Sequence, residues 1–357
     1  MSTPSSVGLR PSRSAVVAVF LTAVLAAGLL FAEGCSRKAT PPQQTVVVYT
    51  SLDQVYSEPI LAEFERQTGI KVLPVYDAEA SKTTGLVNRL IARRDRPDCD
   101  VFWSNEIVQT ERLAQMGLLE SYASPQSERF PQQFRDPQNR WTGFAARMRV
   151  IIYNVNMVPT TQAPRGLDDF LLPLWRGQCA IARPFFGTTL THAAVLHQQW
   201  GPQRLVQYMA ALRGNGVALC SGNATVRDMV AAGEKAFGLT DTDDAYGAIL
   251  EGKPVQVVIP DAGTGALLIP NTVALVKGSP NSDAGRKLID YLLSAQVERR
   301  LAQSSSAQIP LATDLADLAT PWDGPAGRPA PMPLDVQRAA AAMPDVVNLL
   351  RDAGMDR

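Results

Sequence analysis

Three carboxylates occupy four positions at Asp241-Thr242-Asp243-Asp244, directly after an apolar run with the look of a strand. Asp53, Asp77, Glu79 and Glu106 stand in the same relation to earlier strand-like runs. Carboxylates that converge on one cleft repel each other unless a cation joins them. A metal ion or an organic ammonium would supply that charge. Asp241, Asp243 and Asp244 are therefore the candidate metal ligands, with iron or a divalent ion as bound solute; no resident cofactor is required.

A second set of residues favours the opposite charge. Gly187-Thr188-Thr189, Ser221-Gly222-Asn223-Ala224-Thr225 and Ser81-Lys82-Thr83-Thr84 each precede or open a helix-like segment. Hydroxyls and free amides at helix N-termini favour anions. Thr188, Thr189 and Asn223 are expected to form an oxyanion pocket, faced by Ser81 or Thr83. Ordinary capping and first-turn acids account for the same residue types, although three acids in four positions exceed what one cap needs. His192 and His197 are five apart, not the four of a helical zinc pair, and read as structural. Tyr49 and Tyr76 end strands and could reach a cleft. Trp103 and Phe186 read as core or ligand walls, and Arg147 and Arg149 as an ion-paired or anion-binding couple on one strand.

The elements that must position these residues alternate. Thr45–Tyr49, Lys71–Tyr76 and Asp100–Trp103 read as strands. Glu58–Thr68, Ser81–Arg93 and Asn105–Met116 have helical spacing. Strands alternating with helices imply a parallel sheet with right-handed crossovers. Pro74 points its strand to an edge or bulge. Thr142–Asn154 reads as one long strand leading out of the first lobe. The pattern then restarts: strands at Cys179–Ala182, Val217–Cys220 and Ala236–Leu239, helices at Thr188–Trp200, Gln203–Arg213 and Thr225–Ala232. Val255–Ile259 and Leu267–Leu275 run back, Ser282–Leu293 is an amphipathic helix, and Val336–Ala342 and Pro344–Leu350 close the chain as two helices. The expected architecture is α/β with two lobes: residues 45–149 plus 268–318, and residues 150–267 plus 319–357. Two crossing strands join them, and the carboxyl ends of the parallel strands line the cleft.

At the N-terminus, Arg10 and Arg13 precede the apolar run Ala15–Ala32, which ends at Ala32-Glu33-Gly34-Cys35. This is an export pattern. A cysteine after the small residue marks residues 1–35 as a signal peptide with a lipobox, Cys35 as the lipid acceptor, and residues 36–44 as a tether. A plain cleaved signal and an uncleaved anchor are the alternatives, since about 18 apolar residues can span a bilayer. The expected place is the outer face of a membrane, periplasmic or extracellular. A formal net charge of zero gives no reason to expect nucleic acid. Cys99, Cys179 and Cys220 show no C-x-x-C spacing. Cys179 and Cys220 could pair, but buried thiols fit the strands better.

The segments TVVVYTS, EFERQTGIKV, CDVFW, WTGFAARMRVIIYN and GALLIPNTVALVKGSPNSDAGRKLIDYLL resemble type II solute-binding proteins of ABC importers. The resemblance spans Thr45 to about Leu311. The ferric-ion-binding group is the most similar branch, with 2-aminoethylphosphonate and thiamine binders as cousins. It implies a monomeric hinged receptor, not an enzyme, that closes on a small charged solute and delivers it to separate permease and ATPase subunits. In the ferric group two adjacent tyrosines hold the iron, and Thr242 and Asp243 stand in their place here. The group's early histidine position falls near Asp53, and its acidic position falls at Asn105 beside Glu106. The loops at Gly187, Thr188, Thr189 and Asn223 correspond to those holding a synergistic anion. A metal with an oxyanion is one expected solute; an aminophosphonate or polyamine is another. A secreted metal-dependent hydrolase is the reading from another class, but neither H-E-x-x-H nor G-x-S-x-G occurs.

Overall fold

The computed structural model describes residue 2 and residues 43–77, 84–260, 265–324 and 331–356. The expected signal peptide with Cys35, most of the tether, and Glu79, Ser81 and Thr83 lie outside the described residues. Gln44–Arg357 form one compact unit, which holds every named strand and helix of the described residues. No described helix is long and apolar enough to cross a membrane.

In chain order the elements are β1 (Thr45–Thr50), α1 (Gln54–Thr68), β2 (Lys71–Tyr76), α2 (Thr84–Ala92), β3 (Val101–Ser104), α3 (Ile107–Gln115), β4 (Leu119–Glu120) and β5 (Thr142–Asn154). Then come β6 (Cys179–Ala182), α4 (Gly187–Trp200), α5 (Pro202–Gly214), β7 (Ala218–Cys220), α6 (Asn223–Ala231), β8 (Phe237–Asp241) and α7 (Thr242–Leu250). β9 (Val255–Val258), β10 (Leu268–Val276), α8 (Ser282–Leu292), α9 (Ala295–Gln303) and α10 (Val336–Asp352) complete the chain.

The strands form one continuous curled sheet in the order β2-β1-β3-β10-β5-β8-β6-β7, with β4 on β10 and β9 on β5. Each half has a parallel centre: β1 pairs with β2 and β3, and β6 pairs with β7 and β8. β5 joins the halves. Its Thr142–Met148 stretch runs antiparallel to β10, and from Arg149 onward it pairs with β8. Pro74 sits on the edge strand β2, where a missing N–H costs no ladder bond.

Side chains alternate across a strand, so the sheet divides the core into two layers. Tyr49, Phe102, Ile151 and Tyr153 pack on one face with helices α4, α5 and α10. Val48, Val101, Trp103, Val150 and Ile152 pack on the other with α1, α7, α8 and α9. Helix α10 contacts α3 as well as α4 and α5.

At the crossing, Ala145 has φ of 38° and the β5–β10 register shifts between Pro270 and Asn271. Buried Glu298 pins this irregular backbone by accepting from Ala145 N at 2.8 Å, Leu311 N at 2.9 Å and Ala312 N at 3.0 Å. Asn271 Nδ2 donates to the Ala145 carbonyl.

One helical expectation changes, and two further helices, α7 and α9, carry no expectation from the sequence. The C-terminal segment is one helix with Pro344 inside it, because Met343, Val346 and Leu350 are buried and their packing outweighs the lost N–H. Helix α7 begins Thr-Asp-Asp and contains Gly247, a composition that reads locally as turn. Helix α9 follows α8 after a single turn, with Ser294 as N-cap accepting from Val297 N at 3.4 Å. Cys99, Cys179 and Cys220 are buried free thiols.

Candidate functional site

Five helices begin at one narrow cavity of about 30 Å³. Asp53, Glu106, Phe186, Gly222 and Asp241 are the N-cap residues of α1, α3, α4, α6 and α7, and all five line it. This follows from the topology, since each of these helices succeeds the carboxyl end of a strand of the sheet. Gly187, with φ of 56°, makes the sharp entry into α4 that a side chain would strain. The side chains of Asp53, Glu106 and Asp241 make no cap bond to their own helices. Capping therefore does not account for these three acids.

Asp53, Asn105, Glu106, Gly187, Thr188, Thr189, Asn223, Asp241, Asp243 and Asp244 all line the cavity. Thr242 does not: it is buried, and its Oγ1 accepts from Met148 N at 3.1 Å. Asp77 is not among the lining residues, Tyr76 lies in a separate surface groove, and Tyr49 donates to Asp98 at 2.6 Å inside the first layer. Trp103 packs in the core against Phe144, whereas Phe186 lines the cavity. Buried His192 borders a different cavity.

The charge that gathers the carboxylates is internal. Arg149 and Asp241 are cross-strand partners in the β5–β8 register, and two residues along β5 Arg147 projects to the same side. Arg149 Nη1 donates to Asp241 Oδ1 at 2.8 Å, to Thr188 Oγ1 at 3.0 Å and to Asn223 Oδ1 at 3.0 Å. Thr188 Oγ1 donates to Asp241 Oδ2 at 2.8 Å, and Asn223 Nδ2 donates to the same oxygen at 3.0 Å. Arg147 lies 3.8 Å from Asp241 and 3.5 Å from Asp243, and its Nη2 donates to the Asn105 carbonyl at 2.7 Å. The acidic turn and the hydroxyl turns are thus one network, with two guanidiniums at its centre. The β-strand alternation that puts Arg147 and Arg149 on one face is readable in sequence; that this face turns into the cleft depends on the switch of β5 between halves.

Burial tends to raise the carboxyl of Asp241, but Arg149 and Arg147 outweigh it and hold the group below the usual carboxylate range. Burial also tends to lower Arg147, and Asp243, Asp241 and Glu106 more than restore its charge. Glu106 differs. Burial pushes it up to about 7, only partly opposed by Arg147 and by the hydrogen bond from Thr191. Its Oε2 accepts that bond from α4, and its Oε1 has no hydrogen-bond partner, with Arg147 Nη2 at 4.0 Å. Glu106 heads a helix packed on the first half of the sheet and Thr191 lies in a helix of the second, so this bond ties the two sides of the cleft.

Asp53, Asp243 and Asp244 also line an adjoining chamber of about 290 Å³ with Tyr56, Arg227 and Ser305. Arg227 stands 3.8 Å from Asp244. Asp241, Asp243 and Asp244 each offer an oxygen within 4.8 Å of the others, a spacing that fits a metal ion. No tyrosine lines the inner cavity, and Tyr56 in the adjoining chamber is held protonated first by burial and then by Asp243, Asp53 and Asp244. The hard phenolate pair that would suit Fe(III) is absent from the inner cavity.

Residues 99–329 match the family described as bacterial extracellular solute-binding protein. The chain is 26% identical over 276 residues to iron uptake protein A1 of Synechocystis, covering 74% of this chain and 75% of that one. It is 25% identical over 227 residues to a Salmonella typhi periplasmic protein named for 2-aminoethylphosphonate binding, covering 62% and 65%. Iron-bound HitA of Pseudomonas aeruginosa shares the fold at a TM-score of 0.76 and 22% identity, covering 87% of this chain and 99% of that one. The two-lobed architecture of the ferric-binding type is therefore this chain's fold.

Proposed function

Because the chain belongs to the bacterial extracellular solute-binding protein family, whose members bind solutes and are not enzymes, we propose that it is the capture subunit of an ABC importer of the iron(III) type, and that its solute is a small organic zwitterion. The observation that carries this reading is the pair of buried guanidiniums. Arg147 and Arg149 already provide the positive charge that Asp241 and Asp243 need. A bare trivalent ion at these carboxylates would lie against two cations in a medium of low polarity.

A zwitterion fits both sides of the cavity. Helix N-termini at Thr188, Thr189 and Asn223 favour its anionic end. Asp53, Asp243 and Asp244, facing the adjoining chamber, favour an ammonium. The relative named for 2-aminoethylphosphonate makes that compound the first probe. Closure of the lobes on the solute, with residues 45–149 plus 268–318 moving against the remainder, would present it to permease and ATPase subunits. Lipid at Cys35 would hold the receptor at the outer face of the membrane.

Calorimetric titration of the purified chain tests this. Saturable binding of 2-aminoethylphosphonate is expected, abolished by Arg147→Gln and by Asp243→Asn, with neither inorganic phosphate nor ethanolamine binding alone. The oxygen spacing of Asp241, Asp243 and Asp244 supports a second reading, a metal with a bound oxyanion. Stoichiometric Fe(III) or Zn(II) uptake without aminophosphonate binding would replace the first reading with the second.

A further inference from the structure

A separate cavity of about 250 Å³ adjoins Arg149 and shares no lining residue with the cleft. Its polar walls are Arg149, Arg165, Arg204, Asp168, Asp169 and His192, and its apolar walls include Trp200, Leu267 and Met332. His192 is 4% exposed and its Nε2 has no hydrogen-bond partner. The Nε of Arg149, itself 1% exposed, also lacks one. Burial, and then the nearby Arg149, push the imidazole down to about 3 and keep it neutral. Two buried polar atoms without protein partners beside a cavity are costly unless something in the cavity pairs with them.

The charges in the cavity are unequal in availability. Asp169 Oδ2 is occupied by the backbone N–H groups of Arg165 at 2.6 Å and Gly166 at 3.0 Å. Arg165 and Arg204 are exposed and make no ion pair among the described residues, and the Arg204 guanidinium stacks 4.6 Å from the Trp200 ring centroid. Two guanidiniums without an ion-pair partner among the described residues therefore line the cavity with the carboxylate of Asp168.

We propose that this cavity is a second ligand site, for a small organic anion with an apolar body. The acid group sits between Arg165 and Arg204. The body lies against Trp200, Leu267 and Met332, and a polar substituent on it pairs with His192 Nε2. The site is independent of the solute assigned to the cleft.

The test titrates the full chain with benzoate, benzyl alcohol and benzylammonium, which share a ring and differ in charge. Trp200 in the wall makes tryptophan fluorescence the readout. A saturable response to benzoate is expected, weaker for benzyl alcohol and absent for benzylammonium. Arg165→Gln or Arg204→Gln should each weaken benzoate about tenfold, the effect of losing one charge-assisted bond. Arg165→Glu should weaken it further. All three changes lie on the surface, and unchanged thermal unfolding will verify that the variants are folded. No saturable response to benzoate, an equal response to benzylammonium, or an unchanged benzoate affinity in both glutamine variants would overturn the proposal. Aminophosphonate binding in the cleft is expected to survive all three substitutions.

Discussion

Replacing Glu106 with glutamine should stabilise the protein at neutral pH and leave it unchanged in acid. Glu106 is fully buried, and burial raises its pKa from 4.5 to about 7. A raised carboxyl pKa means that the folded state favours the protonated form. Its contribution is therefore complete below about pH 4.5 and is lost as pH rises through about 7. Across that interval, at about 1.4 kcal/mol per pH unit, ionising Glu106 costs on the order of 3 kcal/mol. Glutamine keeps the shape and cannot ionise, and its amide can still pair with Thr191. Arg147 loses a distant partner at 4.0 Å but keeps Asp241 and Asp243. Denaturant unfolding of wild type and Glu106→Gln, with chelator present, should give equal stabilities near pH 4 and a gap opening to about 3 kcal/mol by pH 8, or roughly 5 °C in midpoint for a domain of this size. A gap that stays flat with pH, or that opens on the acid side, would refute the account of Glu106 as a buried group that is neutral when folded.

Arg149→Met should cost about 3–5 kcal/mol near pH 7, because buried Asp241 keeps its hydrogen bonds from Thr188 and Asn223 but is left with Arg147, at 3.8 Å, as its one nearby cation. Asp241 sits below the usual carboxylate range, so the stability it contributes is lost as pH falls, and the penalty measured by urea unfolding should shrink in acid. Gly238→Ala should lose about 1–3 kcal/mol, since an added Cβ would lie 2.4 Å from Val226 Cγ1 and 2.9 Å from the Ala180 carbonyl; Val226→Ala in the same chain should recover part of it. Glu298→Leu should cost more than about 3 kcal/mol by orphaning three buried backbone N–H groups, and Glu298→Gln, which keeps one acceptor oxygen, should fall between it and wild type.

Local signals carried much of this architecture. The β-branched run at Thr45–Thr50 and the thirteen-residue strand Thr142–Asn154 form as their composition requires. Because helices follow strands, the residues after each strand had to meet at one end of the sheet, and this is why Asp53, Glu106, Thr188 and Asp241 group together on pattern alone. Three features were not legible. Helix α7 opens with turn-favouring residues and is held by the burial of Ala245 and Ala248. Tyr49 ends a strand that points toward the cleft, but alternation turns its ring into the core. Arg147 and Arg149 read equally well as ion-paired or as anion-binding; only the long-range pairing of β5 with β10 and then β8 buries them among the acids.

That placement changes the chemistry of the acidic cluster. An isolated trio of carboxylates is a strong but unselective trap for any cation. Here Asp241 accepts from Arg149, Thr188 and Asn223 and stands near Arg147. Its oxygens are already held, and leaving that network would strand buried guanidiniums at a cost a weakly bound ion could not offset. The acids facing the adjoining chamber stand in a different setting, with Asp244 3.8 Å from Arg227 at its wall. The cleft thus joins a buried core of paired charge at Asp241 and Asp243 to an acidic wall at Asp53 and Asp244 that faces the adjoining chamber. On the proposed reading a solute must match both ends to bridge the lobes, and charge separation within the ligand, more than its total charge, would decide binding.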